Sequence, residues 1–435
     1  LSREFYKRVG KHYGVAEEWL FEPHVAEKAF ETMLSEAHVR TLTKQFLHSV
    51  KRLNKRIFSI TTESGVTVIA KVFIDASYEG DLMANSGVQY TVGRESAKQY
   101  GEPLNGVQVR EGHQFERHVD PYIVPGESSS GVLFGVDPTP IPEHGTGDDR
   151  VQAYNFRLCL TRKESNMIPF EKPKGYDRSQ YDLLARYLKA GFTDIFGKFD
   201  FIQNGKIDKN NYGAVSTDFI GQNYAFPNGS FQARERIFQK HVTYQKGLFW
   251  FLSHDEAVPV AIREEMQKYG LCRDEFESTG GWPAQLYIRE ARRMVGEYVM
   301  TQGNCQGERL AEDSVGLGVY NMDSHNCRRG IRNGHVVNEG DVQVTTPPYP
   351  ISYRAIVPKY DECQNLIVPV CLSSSHIAYG SIRMEPVFMI LGQSAALAAD
   401  IAIAREIAVQ EVPYLELKER LVKAGQVLAW KKKVR

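Results

Sequence analysis

This sequence lacks several features that would assign it to a class of protein at once. Its 435 residues contain 53 basic and 53 acidic side chains, so no net charge attracts nucleic acid or an anionic membrane. Six cysteines are few for this length and form no C-x-x-C pair, which argues against a zinc cluster or a disulfide scaffold. The most apolar stretch, residues 387–404, contains Gln393, Ser394 and Asp400. It therefore favours a buried helix, and we expect neither a nucleic-acid partner nor a membrane span.

Short motifs of several enzyme classes are also missing. There is no H-E-x-x-H, G-x-S-x-G or phosphate-binding P-loop, which disfavours metalloprotease, serine hydrolase and NTPase functions. His325 and Cys327 are too few to form a zinc site, and the sequence predicts no metal site. Two glycine pairs, at 145–147 and 316–318, do not complete a G-x-G-x-x-G dinucleotide fingerprint after a strand.

The patterns that are present indicate a globular protein with both helices and strands. Hydrophobic residues make up 42 % and charged residues 24 % of the chain, which excludes disordered and fibrous classes and suits two or three domains. Helical spacing or composition occurs at 2–13, from Pro23 onward, and at 231–255, 259–269 and 387–405.

The strand patterns are shorter. Residues 57–61 and 66–74 predict a hairpin, and the end of its second strand is apolar on both faces and so predicted to be buried on both. Residues 366–368 predict another buried strand, followed by a Ser/Gly segment. The region 90–176 is rich in glycine, proline and histidine, and residues 431–433 predict a solvated tail.

Acidic and small residues follow the hairpin's second strand directly, from Asp75 to Asp81. Ligands of open α/β sheets bind at the carboxyl ends of strands, where backbone groups are free and the next helix offers its positive N-terminus. A structural alternative stays open, because Asp81 is also a good N-cap for a helix from Leu82.

A second strand, Ser/Gly loop and helix of this kind spans residues 366–399. Pro386 suits the first turn of the helix, whose N-terminus would stabilise partial negative charge. The alternative interpretation is a glycine-containing turn before a packed helix.

Several longer strings occur together. They are FIDASYEGDLM at 73–83, YNFRLCLTR at 154–162, LYIREARRMVGEYVMT at 286–301, GLGVYNMDSHNCRR at 316–329, SYR at 352–354, NLIVPVCLSSSHIAYGSIRMEP at 365–386 and LGQSAALAA at 391–399. Together they resemble the FAD-dependent oxidoreductase family, some members of which are labelled xanthan lyase. The resemblance extends over most of the chain, and the joint match is far more specific than any single string.

The resemblance implies an α/β fold with a glutathione-reductase-like, Rossmann-type FAD-binding domain assembled from separate segments. Residues 1–90 and 346–435 would form that domain, and residues 91–345 an inserted α+β substrate or cap region. The strands at 66–74 and 366–368 are therefore expected to belong to one sheet. The implied cofactor-binding residues are Asp75, Ala76, Ser77, Gly80, Asp81, Ser374, Ser375, Gly380, Ser381, Arg383, Met384, Glu385 and Pro386. The helix from Pro386, together with Arg383, would face the flavin N1/C2=O edge, where reduced flavin carries negative charge.

One departure from the family pattern concerns the cofactor. Family members open with a strand, a glycine-rich fingerprint and a helix, whereas this sequence opens at Leu1 without them. We therefore expect that the first βαβ unit is missing from this sequence and that the chain as given binds FAD poorly.

The resemblance also bears on candidate catalytic residues. Arg289, Arg293 and Arg383 offer guanidinium groups to a carboxylate or to flavin, and Asp323, His325 and His376 offer proton transfer. Structural alternatives stay open: arginines beside Glu290 form ion pairs, an Asp-x-His stabilises a loop, and His376 is hydrogen-bonded within its loop.

The predicted function is oxidation or reduction of a small-molecule substrate by an FAD-dependent oxidoreductase, with carbohydrate-related compounds as one candidate class. A polysaccharide lyase is the first alternative, suggested by the xanthan lyase label and by 22 tyrosines that would serve as sugar platforms or bases. The second alternative is a non-catalytic scaffold that has lost FAD.

Overall fold

The computed structural model describes residues 1–430, and the tail predicted at 431–433 lies outside them. Its helices are α1 Ser2–His12, α2 Pro23–Glu36, α3 Asp81–Asn85, α4 Ala97–Tyr100, α5 Asp182–Lys189, α6 Phe231–His254, α7 Val260–Met266, α8 Gln302–Cys305, α9 His376–Ile382, α10 Glu385–Arg405 and α11 Tyr414–Lys423. The first nine strands are β1 Leu47–Leu53, β2 Arg56–Thr62, β3 Thr67–Ile69, β4 Phe73–Ile74, β5 Tyr90–Thr91, β6 Leu158–Thr161, β7 Met167–Ile168, β8 Phe199–Phe201 and β9 Ile207–Lys209. The others are β10 Gly270–Cys272, β11 Arg293–Met294, β12 Ser314–Gly318, β13 Met322–Ser324, β14 Arg328–Arg332, β15 His335–Glu339, β16 Val342–Val344, β17 Tyr349–Ser352 and β18 Leu366–Ile367.

The predicted helices are present as α1, α2, α6, α7 and α10. Each has apolar residues at helical spacing, and a neighbouring part of the protein buries the apolar face that this spacing creates. In α1, Phe5, Tyr6 and Val9 are buried against Val25 and Ala29 of α2. In the segment predicted as a Ser/Gly loop, the structure instead has α9. This helix begins because the Ser375 hydroxyl accepts a hydrogen bond from an N–H of its first turn, and all of its side chains are buried.

The sheets are small and mostly antiparallel. The largest has the order β7-β10-β6-β9-β8, and β1, β2 and β3 form the predicted hairpin extended by one strand. The only two of these named strands that pair in parallel are β4 and β18, with Leu366 opposite Phe73 and Ile367 opposite Ile74. This pairing confirms that two strands about 290 positions apart belong to one sheet. The mixed content is that of an α/β protein, although the described sheets include no doubly wound parallel one.

The second hairpin strand differs from its prediction. It is interrupted between β3 and β4, and Ile74 is 38 % exposed although its apolar neighbours predict burial on both faces. The reason is that β4 pairs with β18 on one side only, and no described strand lies along its other edge. An apolar pattern in the sequence shows that a strand can be buried. Whether the strand is buried depends on which elements pack against it in the fold.

The hydrophobic core is divided among several clusters. One joins β6, α5, α6 and α7, mainly between residues 119 and 291, and a second joins residues 298–428 around α9 and α10. Tyr298, Val315 and Met322 therefore pack with the C-terminal segment, although the sequence assigns residues up to 345 to the inserted region. Strand β12 contacts both α10 and β17, which explains this difference.

Helix α10 is long and apolar enough to cross a membrane by length and composition alone. Such a helix is weak evidence, because the core helix of a folded protein passes the same test. Here Leu391, Ala395, Ala398 and Ile401 are buried in the second core cluster, which matches the prediction of a buried helix.

Candidate functional site

Four residues predicted from the sequence lie together at the end of β13. Nδ1 of His325 lies 3.0 Å from Oδ2 of Asp218, and its Nε2 lies 3.6 Å from Oδ2 of Asp323. Asp323 accepts a hydrogen bond of 3.0 Å from Nη2 of Arg383, and Oδ1 of Asp218 lies 2.9 Å from Nη1 of Arg289. These five residues are termed the cleft cluster. Asp218 is the member that the sequence analysis missed.

The charges of the cleft cluster keep both of its carboxylates ionised. Burial raises the pKa of Asp218, but the charges of Arg289 and His325 outweigh burial and lower it below its ordinary value. Burial is likewise outweighed at Asp323, whose pKa is held well below its usual range by His325 and Arg383. An ionised Asp218 only accepts hydrogen bonds, so Nδ1 of His325 donates to it and Nε2 is the ring nitrogen that faces Asp323.

Tyr287 connects the cleft cluster to solvent. Its ring centroid lies 5.8 Å from Cζ of Arg157 and 5.1 Å from Cζ of Arg289, and its hydroxyl accepts a 3.4 Å hydrogen bond from Nη1 of Arg383. Tyr287 is half-buried and Arg157 is exposed. The side chains of Asp323 and His325 keep 14 % and 10 % exposure. The cleft cluster is therefore shielded but within reach of a small molecule.

A second histidine faces the cleft cluster. The ring of His113 lies 6.2 Å from that of His325 between centroids, and its Nδ1 lies 3.1 Å from Oδ1 of Asp341. Asp341 directly precedes β16, which pairs with β13, so this strand pair brings it close to His325. The hydrogen bond to Asp341 raises the pKa of His113, and nearby carboxylates of the cleft cluster add to this effect. His113 also has a left-handed backbone, with φ of 47°.

The other two predicted catalytic residues lie in a separate group, termed the buried cluster: His376, Glu290, Arg293 and Glu95. Nδ1 of His376 lies 2.7 Å from Oε2 of Glu290, and Arg293 forms ion pairs with Glu290 and, at 2.6 Å, with Glu95. Burial and the charge of Arg293 lower the pKa of His376 to about 3. Its neutral ring donates to Glu290 and accepts at Nε2 from Oγ of Ser324, 3.0 Å away. The structure thus separates Arg293 and His376 from the cleft cluster.

The acidic residues predicted to bind cofactor after β4 are engaged by protein groups. Asp75 accepts hydrogen bonds from the N–H and hydroxyl of Ser77 at 3.1 and 2.6 Å, and from the N–H of Met83 at 2.8 Å. Asp81 is paired with Arg234 at 2.5 Å and Arg292 at 2.7 Å. Both carboxylates therefore stabilise the loop and α3.

Between these two carboxylates, Gly80 has φ of 67°, and a Cβ at that position would lie 3.0 Å from Sγ of Cys371. A side chain there would be strained and crowded, which accounts for the glycine. Ala76 and Tyr78 are the residues of this loop that border a cavity.

The small residues predicted to face flavin need a correction. The Ser375 hydroxyl caps α9 and donates to Glu102 at 2.6 Å, and the Ser381 hydroxyl accepts from Tyr349 at 2.7 Å. Gly380 lies against β13, where a Cβ would come 2.7 Å from the carbonyl oxygen of Asp323. These residues face the interior, because α9 packs directly on β13.

Ser374 is the exception in this segment, since its buried hydroxyl has no hydrogen-bond partner among the described residues. Met384 precedes α10 as its N-cap residue. Glu385 and Pro386, in the first turn of α10, are the predicted flavin-side residues that border the cavity.

This cavity has a volume of about 890 Å³ and lies between the N-terminus of α10, the loop after β4 and the α1–α2 segment. Its size is within the range of small-molecule sites. Residues on its wall include Tyr6, Phe21, Ala76, Tyr78, Glu385 and Pro386. Arg157 and Asp208 also border it, and Arg157 lies over the ring of Tyr287, whose ring in turn lies 5.1 Å from Cζ of Arg289 in the cleft cluster.

Four residues near this site were not predicted from the sequence, and the sequence indicates some of them better than others. Tyr287 lies two positions before Arg289 in the same sequence string, so the sequence could have indicated it. Asp218 and Asp341 lie in segments without a motif, and each meets its histidine only through long-range contacts. His113 lies in the glycine-rich region, where the sequence offers no periodicity that indicates a neighbour.

A family model described as FAD dependent oxidoreductase matches residues 1–421, which is nearly the whole chain. The comparison with curated proteins and the comparison with solved structures each found no match.

Proposed function

The chain belongs to the FAD dependent oxidoreductase family, and we propose that it is an enzyme that oxidises or reduces a small molecule through FAD. The observation that carries the proposal is the cleft cluster, in which Asp218 orients His325 and Nε2 of His325 makes no hydrogen bond among the described residues. Tyr287 and Arg157 connect this cluster to a ligand-sized cavity. A base held by a third group is the usual arrangement for proton transfer in catalysis.

The residues on the cavity wall fit a flavin ring. Tyr6, Phe21 and Tyr78 provide flat apolar surfaces. The first turn of α10 provides only the backbone N–H of Glu385, because Pro386 has none and the next two N–H groups donate to the carbonyl oxygen of Met384. We propose that Ala76, Tyr78 and Pro386 hold the ring, with its N1/C2=O edge toward the first turn of α10, the part of the predicted 380–387 segment that borders the cavity. Glu385 already places a carboxylate at that helix terminus, so Arg383 is the stronger candidate for stabilising negative charge.

The proposed architecture is a glutathione-reductase-like domain made of residues 1–90 and 346–435, with 91–345 as a substrate region. The unpaired edge of β4 and the exposed Ile74 support it, because a further parallel strand would cover both. We propose that a strand, G-x-G-x-x-G loop and helix pair there and bind the pyrophosphate of FAD.

Bound FAD would accept a hydride from the substrate carbon or return it. In the oxidising direction, Nε2 of His325 takes the proton of a substrate hydroxyl, and Asp218 holds the ring in place. Asp323 stabilises the resulting imidazolium because its carboxylate lies 3.6 Å from that nitrogen. Burial of Arg289 and Arg383 limits water at the site.

We propose a hydroxyl-bearing substrate related to carbohydrates. The half-buried Tyr287 and partly exposed Tyr320 offer aromatic faces, and exposed Arg157 with Asp208 offers hydrogen bonds of both kinds. This set suits a polyhydroxylated ring better than an apolar substrate.

A polysaccharide lyase is the second candidate. The observation in its favour is Tyr287, whose hydroxyl lies beside Arg383 and whose ring lies between Arg157 and Arg289. The arginines would neutralise a sugar carboxylate, and the Tyr287 oxygen would take the proton from the carbon next to it. The glycosidic oxygen on the following carbon would leave with its bonding electrons as the double bond forms. This reaction needs no FAD, and its unsaturated product absorbs in the ultraviolet.

The test is FAD binding and reduction. We expect the 435-residue chain to bind FAD weakly, and a form extended by a dinucleotide fingerprint to purify yellow and to be bleached anaerobically by sugars or sugar acids. Stoichiometric FAD in the 435-residue chain would refute the need for the added unit. An extended form without FAD that cleaves a uronate-containing polysaccharide would favour the lyase, and one with neither property would favour the scaffold.

A further inference from the structure

A cluster of ionisable side chains away from the cleft cluster lies where α1 ends and α2 begins. Donor atoms of His12, Glu22 and His24 all lie within 4.8 Å of one another. His12 is the last residue of α1, Glu22 is the N-cap residue of α2, and His24 is in the first turn of α2. Two imidazoles and one carboxylate are a ligand set that zinc uses in proteins.

His24 is oriented as metal-binding histidines usually are. Its Nδ1 lies 2.7 Å from Oε1 of Glu275, a fully buried carboxylate. Glu275 also accepts a 2.9 Å hydrogen bond from the backbone N–H of His24. The hydrogen bond fixes the ring and leaves Nε2 as the free donor atom, which is the common pattern of a histidine ligand with a carboxylate behind it.

The local charge also favours a cation. The side chains of Glu22 and Glu275 are 3 % and 0 % exposed, and both contact the single ammonium of Lys206, at 2.7 and 2.6 Å. Asp274 adds a third carboxylate 2.9 Å from the same nitrogen. Because buried charges are costly unless they are balanced, three carboxylates around one lysine leave room for a second positive charge.

Glu22 has capacity for a further ligand. Its Oε2 accepts hydrogen bonds from Tyr13 at 3.0 Å and Asn204 at 2.7 Å, whereas its Oε1 is contacted by Lys206. We propose that His12, His24 and Oε1 of Glu22 bind a divalent transition metal, with Zn²⁺ the best match to the donor set, and that Glu275 positions His24. This site departs from the sequence-based expectation of no metal site.

The proposed metal would tie the end of α1 to the start of α2. The segment between them contains Trp19 and Phe21, which border the 890 Å³ cavity. A metal bound to both ends would hold this segment over the cavity. The proposal does not depend on FAD, so its test and that of the proposed function fail independently.

The experiment is titration of the metal-free 435-residue chain with ZnCl₂ by calorimetry, and with CoCl₂ by visible absorption. We expect one Zn²⁺ per chain and the absorption bands of four-coordinate Co²⁺. His12→Ala and His24→Ala should each weaken Zn²⁺ binding at least 10-fold. The ring of His12 is exposed, so melting of the metal-free His12→Ala variant should match that of the parent. His48→Ala, an exposed histidine on β1, is the matched control.

A second readout is cleavage after Glu17 and Glu18 by a glutamate-specific protease. Zn²⁺ should slow this cleavage in the parent chain and not in His24→Ala. No Zn²⁺ binding, or equal affinity in both variants and the parent, would overturn the proposal and leave Lys206 as the cation of this cluster. The His118→Ala substitution removes a different histidine, whose ring is stacked on that of His335. If this substitution abolished Zn²⁺ binding, the metal would bind elsewhere and the proposal would be wrong.

Discussion

The cleft cluster and the buried cluster contain the same types of side chain but differ in how their hydrogen-bonding capacity is used. In each, a histidine lies against a carboxylate that also contacts an arginine, Arg289 in one and Arg293 in the other. The His325 side chain keeps 10 % exposure and its Nε2 makes no hydrogen bond among the described residues, whereas the His376 side chain is 2 % exposed and uses both nitrogens. Residue type and pairing alone therefore do not distinguish the histidine that we propose as a base from a structural one.

The distance between the two arginines explains how one short run of sequence serves both clusters. Four residues of extended chain span about 13 Å, which is enough to place Arg289 in the cleft cluster and Arg293 under α9. Arg293 lies in β11 and donates to the carbonyl oxygen of Ser374 at 3.0 Å. The comparison therefore predicts that loss of the cleft cluster affects chemistry, and loss of the buried cluster affects stability.

The largest effect is expected for His325→Gln in the FAD-loaded extended form. Glutamine keeps a polar group of similar length but removes the base, so the rate of substrate oxidation should fall about 100- to 10,000-fold. Steady-state rates and melting temperatures of His325→Gln and His376→Gln would be compared. The second variant, corrected for its folded fraction, should keep its activity within about 10-fold. Equal losses of activity in both variants would contradict the division between the clusters.

Arg293→Met should have the next largest effect, on stability. The substitution leaves Glu290 and Glu95 buried without their shared cation, and breaking a buried pair in this way costs about 3–5 kcal/mol. Urea unfolding would measure the loss, with Arg236→Met, an exposed position on α6, as the control. A decrease in the free energy of unfolding of less than about 1 kcal/mol would be typical of a surface ion pair. It would show that the buried cluster contributes little to the stability of the fold.

The buried cluster should also make folding sensitive to acid. The folded-state pKa of His376 is lowered to about 3, while its unfolded value is about 6.5. Between these values the unfolded chain binds the extra proton, so this contribution to stability is present above pH 6.5 and is lost as the pH falls toward 3. From pH 6.5 to 4.5 the loss is about 2–3 kcal/mol.

His376→Gln removes this titrating group, so urea unfolding at the two pH values should give a smaller difference for the variant than for the parent. An unchanged difference would mean that other groups, such as carboxylates, dominate acid unfolding of this protein.

Local periodicity predicted the helices, and the family resemblance predicted that β4 and β18 belong to one sheet. The sequence misjudged Ile74 and α9, since burial and helix formation there depend on neighbours far along the chain. Gly380 lies in a segment whose composition is typical of a flexible loop. In the structure, its lack of a side chain allows α9 to pack closely against β13. The sequence also could not predict that Arg289 and Arg293 belong to different clusters. Asp218, the partner of Arg289, lies 71 positions away, and Glu95, the partner of Arg293, lies 198 positions away.

The smallest effect is expected for Arg383→Met, which tests whether the cleft cluster acts on flavin as proposed. Arg383 is paired with Asp323, so the two charges largely cancel at a distance, and removing the arginine alone exposes flavin to the remaining carboxylate. The flavin potential should fall by about 20–30 mV, which corresponds to about 1 kcal/mol for two electrons. The double variant with Asp323→Asn restores neutrality, so its potential should return close to that of the parent. If the single variant loses stability while its potential is unchanged, the pair is structural, and the N-terminus of α10 is then the remaining candidate for stabilising reduced flavin.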